Sequence, residues 1–445
     1  MLLIFFISFR SQACVLCCGI VDERGVHSKL AWQAKGAYSL PQPYNMAVRI
    51  YGCGTTKLGK LNKSATSLMQ SALQSALADA TLDLSDLDGL VAVPSLSEPR
   101  FMEAHYLATR IGMLPHRGVR VRTIDTGGAG PISALMEAVR MVKVEGCRAV
   151  AVVAGDAVSS LPTDEFLRRA DAGCADSSDP DALQSPVIPN GYGRIAEWHQ
   201  TTYGVTREQL AMVSVLMSRQ AARHPLALTR TPHTLAEVLA APPVAPSTTL
   251  LECARRADGG AAIIVADAEW MQSQRGKKRS EGVVYLGGGE ASGPLFPPSV
   301  IDESLFSCEQ AARIAYREAQ LMPADIDFFG LYDCFPICFL RAVEAVGLAK
   351  KGEGGAWIER MHNDVTAPSA QSSSNTEQGA GTDERSSLRN RPRAYVRPLT
   401  HVLTYLTYLR FQVNHSITRL LSSPSIRTEG CWDSGHHGKH QHCTM

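Results

Sequence analysis

Between positions 65 and 80 the apolar residues Leu68, Ala72, Leu73, Ala76 and Ala80 recur at a spacing that puts them on one face of a helix. The same rule predicts a helix from Pro131 to Val144, with proline tolerated in its first turn. Further helices are predicted from Glu208 to Arg223 and from Ile337 to Val346. Between them lie short apolar runs with strand character. Val48 to Tyr51 ends at Gly52 and Gly54, and Leu87 to Val93 follows an Asp-rich turn. Val119 to Ile124, Ala261 to Val265 and Ile326 to Gly330 have the same character. Ala149 to Val153 is apolar at every position and closes at Gly155, the pattern of a strand covered on both faces of a parallel sheet. Strands alternating with helices predict an α/β fold.

The pattern repeats. At an offset of 239 positions, Ala72, Ala76, Leu77, Ala80, Leu82, Asp86 and Asp88 fall on Ala311, Ala315, Tyr316, Ala319, Leu321, Asp325 and Asp327. Each copy is preceded by a strand ending in glycines, Tyr51-Gly-Cys-Gly54 and Leu286-Gly-Gly-Gly289. A repeat this widely spaced excludes a solenoid and predicts two similar halves packed together, the first carrying a large insertion.

The flanks differ from the middle. Residues 1–45 open on an apolar stretch whose first basic residue, Arg10, follows it, the reverse of a secretory signal. They are expected to form an unstructured extension upstream of Met46. Residues 361–445 are rich in Ser, Gln, Asn, Thr and His, lose amphipathic periodicity, and are expected to be a disordered or aberrant tail. The expected division is thus 46–275 for the first half, with an inserted region at about 157–245, and 282–360 for a partial second half.

The chain has 445 residues, 45% apolar and 20% charged, with a net charge of +1. That balance argues against a polyanion-binding protein, so no nucleic-acid partner is expected. No apolar run approaches the roughly 20 residues of a membrane span. The 12 cysteines are scattered, with one Cys-x-x-Cys spacing at Cys14 and Cys17 and no second to pair with it, which suits reduced thiols in a cytoplasmic compartment. No metal site is expected: Cys431, His436, His437, His440, His442 and Cys443 have metal-like composition, but their spacing is crowded.

Two segments carry candidate chemistry. The glycine turn Thr126-Gly-Gly-Ala-Gly-Pro131 enters a predicted helix, where backbone N–H groups of Gly127, Gly128 and Gly130 could meet a carbonyl or phosphate oxygen. Its spacing is not that of a dinucleotide site, and a plain tight turn is the alternative. Tyr332, Asp333 and Cys334 follow a predicted strand and precede a helix, at the strand edge where α/β sheets collect ligands. Alternatively Tyr332 packs and Asp333 caps the helix. His199 and His224 are candidate bases. Asp258, in a turn before an apolar strand, reads as structural.

In order along residues 46–360, these segments resemble the thiolase superfamily, in the branch of the sterol carrier protein thiolases. The resemblance rests on the glycine turn at 126–131, Tyr203-Gly204 leading to a helix and His224-Pro225, and Cys253 with Asp258-Gly-Gly-Ala-Ala262. It continues through Ala319, Asp325-Ile-Asp327 and Tyr332-Asp-Cys-Phe335 to Gly347 and Lys351-Gly-Glu-Gly-Gly355. It implies two βαβαβαββ halves in a five-layer α-β-α-β-α sandwich, the second half incomplete here.

The resemblance also implies an acyl-CoA thioester as substrate, no further cofactor, and a homodimer. Three departures stand out. The position of the family's nucleophilic cysteine is matched by Gly128, and Tyr332 stands where degradative relatives keep His or Asn. The family's C-terminal Gly-His-Pro and Cys-x-Gly segments are missing after residue 360. Glycine in place of cysteine, with Tyr-Asp-x-Phe, is similar to steroid side-chain retro-aldolases, which work with a small OB-fold partner. That resemblance implies Tyr332 as acid/base, tuned from an ordinary pKa of about 10, and Asp333 as an orienting carboxyl. It implies that Gly127, Gly128 and Gly130, with His224, bind the thioester. Two readings stay open: an enzyme acting on a 3-oxo- or 3-hydroxyacyl-CoA in lipid metabolism, or an inactive acyl-CoA-binding subunit. A mitochondrial or peroxisomal location is the alternative to the cytoplasm.

Overall fold

The computed structural model describes residues 4–9, 12–16, 48–116, 118–174, 182–274, 282–295, 298–326 and 328–366. Residues 361–366, expected to begin a disordered or aberrant tail, instead continue a helix that runs Gly354–Thr366, while the rest of that tail, with its His/Cys cluster, and Asp327 lie outside the described residues.

A hairpin comes first: β1 (Ile4–Phe9) and β2 (Gln12–Leu16). The first half then runs β3 (Val48–Thr55), α1 (Ala65–Ala80), β4 (Gly89–Ala92), α2 (Glu103–Arg110), β5 (Arg120–Thr123), α3 (Gly130–Lys143) and β6 (Ala149–Ala157). An inserted region follows, with α4 (Thr163–Ala172), α5 (Val187–Tyr203), α6 (Arg207–Arg223), α7 (Leu235–Ala240) and the small ribbon β7 (Pro243–Ala245) and β8 (Thr248–Thr249). β9 (Asp258–Asp267) and α8 (Ala268–Ser273) close the half. The second half contributes β10 (Val283–Gly289), α9 (Cys308–Ala319), β11 (Phe329–Gly330), α10 (Pro336–Ala345) and α11 (Gly354–Thr366).

β6 and β9 are the centre of the first half, and their period-2 side chains serve two layers at once. Val150, Val152, Ala154, Ala261, Ile263 and Val265 face α3 residues such as Leu135 and Ala138. Ala149, Ala151, Val153, Ala262, Ile264 and Ala266 face α1 and α2 through Met69, Ala72, Leu73 and Leu107. An all-apolar strand is what burial on both faces demands.

The internal repeat is visible in geometry. β3 runs through Gly52 and Gly54 rather than ending there, because the glycines let the strand touch its helix. A β-carbon on Gly54 would sit 2.1 Å from the Ala72 carbonyl oxygen, and one on Gly289 would sit 2.0 Å from that of Ala311. Thr81 and Gln320 both end their helices in the left-handed region, at φ 53° and 54°. The next turn is the same in both copies. Asp86 accepts from the Asp83 N–H at 2.9 Å and Asp325 from the Met322 N–H at 2.8 Å.

Nine strands form a sheet in the order β11-β2-β1-β10-β3-β9-β6-β4-β5, the two halves joined through antiparallel β10 and β3. In the first half β4 is parallel to β6, β6 antiparallel to β9, and β9 antiparallel to β3. In the second, β11 is parallel to β2, β2 antiparallel to β1, and β1 antiparallel to β10. The hairpin at 4–16, inside the stretch expected to be unstructured, therefore takes the two central places of the second half. β10 and β11 do not pair with each other; the strands between them supply the backbone partners that each requires.

Candidate active site

The glycine turn lies between β5 and α3. Gly127 has φ +61°, a conformation glycine takes without steric penalty, and the Thr126 and Ser133 hydroxyls, 2.7 Å apart, pin the turn to the first turn of α3. The backbone donors here are mostly engaged. The Gly127 N–H donates to Asp125 at 3.2 Å, the Ala129 N–H to the Thr126 carbonyl at 3.3 Å, and the Gly130 N–H to the Gly127 carbonyl. Of the three glycines expected to bind a thioester oxygen, Gly127 and Gly130 thus hold their N–H groups inside the turn. The Gly128 N–H has no protein acceptor among the described residues. Gly128 is partly exposed, at the positive end of α3.

The second loop leaves β11 at Gly330. Tyr332 is partly buried and packs against the cluster that contains Ala129 and Ile132, together with Leu58, Ile124 and Met136. Ile124 enters the glycine turn and Ile132 leaves it, so both loops rest on one apolar floor. Asp333 does not cap α10; the N-cap position belongs to Phe335 and no side chain bonds there. Its carboxyl is pushed up to about 6 by burial. The Cys334 carbonyl accepts from the Ala254 N–H at 3.3 Å, tying the loop to the segment before β9. Phe335 stacks on Tyr192 of α5 with ring centroids 4.7 Å apart.

His224 is buried at the end of α6, and its Nδ1 accepts from the Leu226 N–H at 3.2 Å. Its loop is held to the same pre-β9 segment through Thr229 and Arg255. His199 lies elsewhere, on α5, with Nε2 3.6 Å from a Glu344 carboxylate oxygen on α10. Asp258 is structural, accepting from the Leu61, Ser159 and Ser160 N–H groups and the Ser160 hydroxyl. Cys147 is buried beside Arg120 beyond the far end of α3, its thiol pushed up by burial. Cys253 is pushed up to about 12 by burial and by the charge of Glu252. Neither thiol substitutes for a nucleophile in the glycine turn.

Sequence reading missed two groups. At the carboxyl ends of β4 and β6, buried Asp156 accepts from the Leu96 N–H, the Ser97 N–H and the Ser95 hydroxyl at 2.8–2.9 Å. Glu103 beside it is pushed up to about 7, by burial and by Glu98 and Asp156. Only folding brings these residues together; polar serines directly after an apolar strand were the available signal. The other group is the thiol pair Cys334 and Cys338. Among the described residues there is no metal-binding group of three or more His, Cys, Asp or Glu, and no helix long and apolar enough to cross a membrane.

Comparison with known proteins bears on the family and the fold. Residues 300–383 match the family model "Thiolase C-terminal domain-like". The chain is 30% identical over 324 residues to the acetyl-CoA acetyltransferase of Methanothermobacter thermautotrophicus, covering 70% of this chain and 80% of the relative. It is 30% identical over 184 residues to sterol carrier protein 2 of Oryctolagus cuniculus, covering 40% of this chain and 33% of the relative. Among solved structures, the Ltp2-ChsH2(DUF35) aldolase superposes with a TM-score of 0.58 at 23% identity, covering 72% of this chain and 82% of that one. This last likeness concerns the fold.

Proposed function

Since the chain belongs to the thiolase superfamily, in its sterol-carrier-protein-thiolase-like branch, we propose that it binds an acyl-CoA thioester over the floor shared by its two loops and makes or breaks a carbon–carbon bond there without a covalent acyl-enzyme. The observation that carries this reading is the pairing of Gly128, which offers an N–H and no sulfur, with Tyr332 packed on the same apolar cluster. Ping-pong acyl transfer needs a thiolate to hold the acyl group, and glycine cannot supply one. A direct aldol-type step needs only an oxyanion donor and a proton carrier.

In the cleaving direction the substrate is a 3-hydroxyacyl-CoA. The Tyr332 phenolate takes the hydroxyl proton, the bond between carbons 2 and 3 breaks, and its electron pair moves into the thioester as an enolate. The Gly128 N–H and the positive end of α3 stabilise that oxygen. Protonation of carbon 2 then yields a shorter acyl-CoA and a ketone or aldehyde. In the forming direction Tyr332 returns the proton to the carbonyl oxygen as the new bond closes. Asp333, two-state near pH 6, sets the charge beside the loop. A small OB-fold partner or a second copy covering the loops belongs to this reading.

The test follows full-length protein with 3-hydroxyacyl-CoA and, separately, acetoacetyl-CoA plus free CoA. We expect cleavage of the first to acyl-CoA and a carbonyl product, no thiolysis of the second, and a loss of about a hundredfold or more in Tyr332→Phe. Acyl-CoA binding without turnover of either, with or without an OB-fold partner, would favour a binding subunit instead. No acyl-CoA binding at all would overturn both readings.

A further inference from the structure

The sulfurs of Cys334 and Cys338 lie 3.3 Å apart, the Cys334 thiol donating to Cys338. Cys338 is the third residue of α10, and Cys334 precedes that helix by two positions. Because Cys334 is outside the helix, its side chain is not held on the helical surface and can turn toward Cys338. A disulfide bond is about 2.05 Å long, so the two sulfurs need to close by only about 1.3 Å. Cys334, Cys338 and Cys174 all lie near Tyr192, whose ring stacks on Phe335. Three thiols therefore gather around one tyrosine, one of them, Cys334, in the loop that carries Tyr332 and Asp333.

We propose that Cys334 and Cys338 form a peroxide-responsive dithiol whose oxidation to a disulfide changes the state of the Tyr332 loop. Cys338 is half-buried whereas Cys334 is buried, so Cys338 meets the oxidant. Its thiolate attacks hydrogen peroxide, the O–O bond breaks, and a sulfenic acid and one water form. The Cys334 thiol then attacks that sulfur, expelling the oxygen as a second water. Two thiols are oxidised by two electrons in all, and one peroxide is reduced to two waters. Burial, with Cys338 and Asp333 close by, holds the Cys334 thiol well above the ordinary cysteine range. It therefore stays reduced while Cys338 meets the oxidant, and it gives up its proton to the departing hydroxyl as its sulfur closes on the sulfenic acid.

The consequence for the neighbouring site follows from proximity. Tyr332 precedes Cys334 by two positions, and its hydroxyl lies near the Cys334 sulfur. A disulfide sulfur carries no proton and no negative charge, so oxidation changes the surroundings of that hydroxyl while Cys334 is drawn toward α10. This consequence rests on the proposed role of Tyr332; the disulfide itself does not.

The reduced full-length chain is treated with hydrogen peroxide, alkylated and mapped by mass spectrometry without reduction, exposed Met322 reporting the dose. We expect the peptide spanning both cysteines to escape alkylation and to lose two hydrogens, with recovery in dithiothreitol. Cys334→Ser should leave Cys338 trapped as a dimedone-reactive sulfenic acid, and Cys338→Ser should react about tenfold more slowly or not at all. If both thiols stay alkylatable once Met322 is oxidised, or each pairs with another cysteine, the proposal is overturned. If the disulfide forms but turnover of a 3-hydroxyacyl-CoA by an active preparation is unchanged, the coupling to Tyr332 is overturned while the dithiol stands. An inactive preparation that still forms the disulfide would count against the proposed activity alone.

Discussion

Gly54 lies so close beneath α1 that a β-carbon on it would meet the Ala72 carbonyl oxygen at 2.1 Å, and Gly289 stands in the same relation to Ala311 at 2.0 Å. Backbone cannot yield as a side chain does, so Gly54→Ala and Gly289→Ala should each force the helix off its strand. A loss of about 3 kcal/mol or more is expected in urea unfolding. An exposed control, Gly146→Ala, has open space around it but φ +72° and should lose only about 1 kcal/mol. Equal effects at all three positions would show that the close approach carries no weight.

The Asp333 carboxyl is pushed up to about 6 by burial. The folded chain therefore holds a proton there that the unfolded chain releases near pH 4. Its contribution to stability is fully present below that pH and is lost as pH rises through 6. Asp333→Asn keeps the shape and removes the ionisation, so it should gain stability over the parent at pH 8 and lose the advantage below pH 4. Melting temperatures measured across that range check it; a gap that does not change with pH contradicts it.

Glu344 joins three elements. One carboxylate oxygen accepts from the Gly352 and Gly354 N–H groups at 3.1 and 2.9 Å, and the other lies 3.6 Å from His199 Nε2. Glu344→Ala strands two backbone donors and a buried imidazole in the space between α5, α10 and α11. A loss of about 3 kcal/mol is expected, read in denaturant, with Glu344→Gln retaining part of it. A neutral Glu344→Ala would mean that water replaces the carboxylate.

The hairpin β1–β2 separates β10 from β11. A chain beginning at Met46 loses the partners of both strands and exposes sheet edges. It should aggregate or melt several degrees lower in circular dichroism, with exchange protection lost first in β10. An unchanged melting curve and a monodisperse elution profile would show the hairpin to be dispensable.

The repeat was readable because it is written in spacing. Alanines at 72, 76 and 80 and at 311, 315 and 319 leave room for glycine strands, and that arithmetic needs no coordinates. The glycine turn was readable for a related reason, since Gly127 marks a positive φ and Pro131 a helix start. Other features depend on closure in space. Which glycine N–H stays available was settled by local hydrogen bonds that leave no trace in residue type. That Asp156 gathers the 95–97 loop, and that Cys334 and Cys338 meet across a helix start, follows from where strands end and helices begin.

By itself the sequence determined the period of each element, the doubled α/β unit and the two loops that end its strands, because these follow from local sterics and from which side chains leave water. Only the tertiary structure decided that Tyr332 and the glycine turn share one apolar floor, and that residues 4–16 stand between β10 and β11. Pairing between distant segments depends on which backbone groups remain unsatisfied once the rest of the sheet has formed, and no stretch of sequence records that alone.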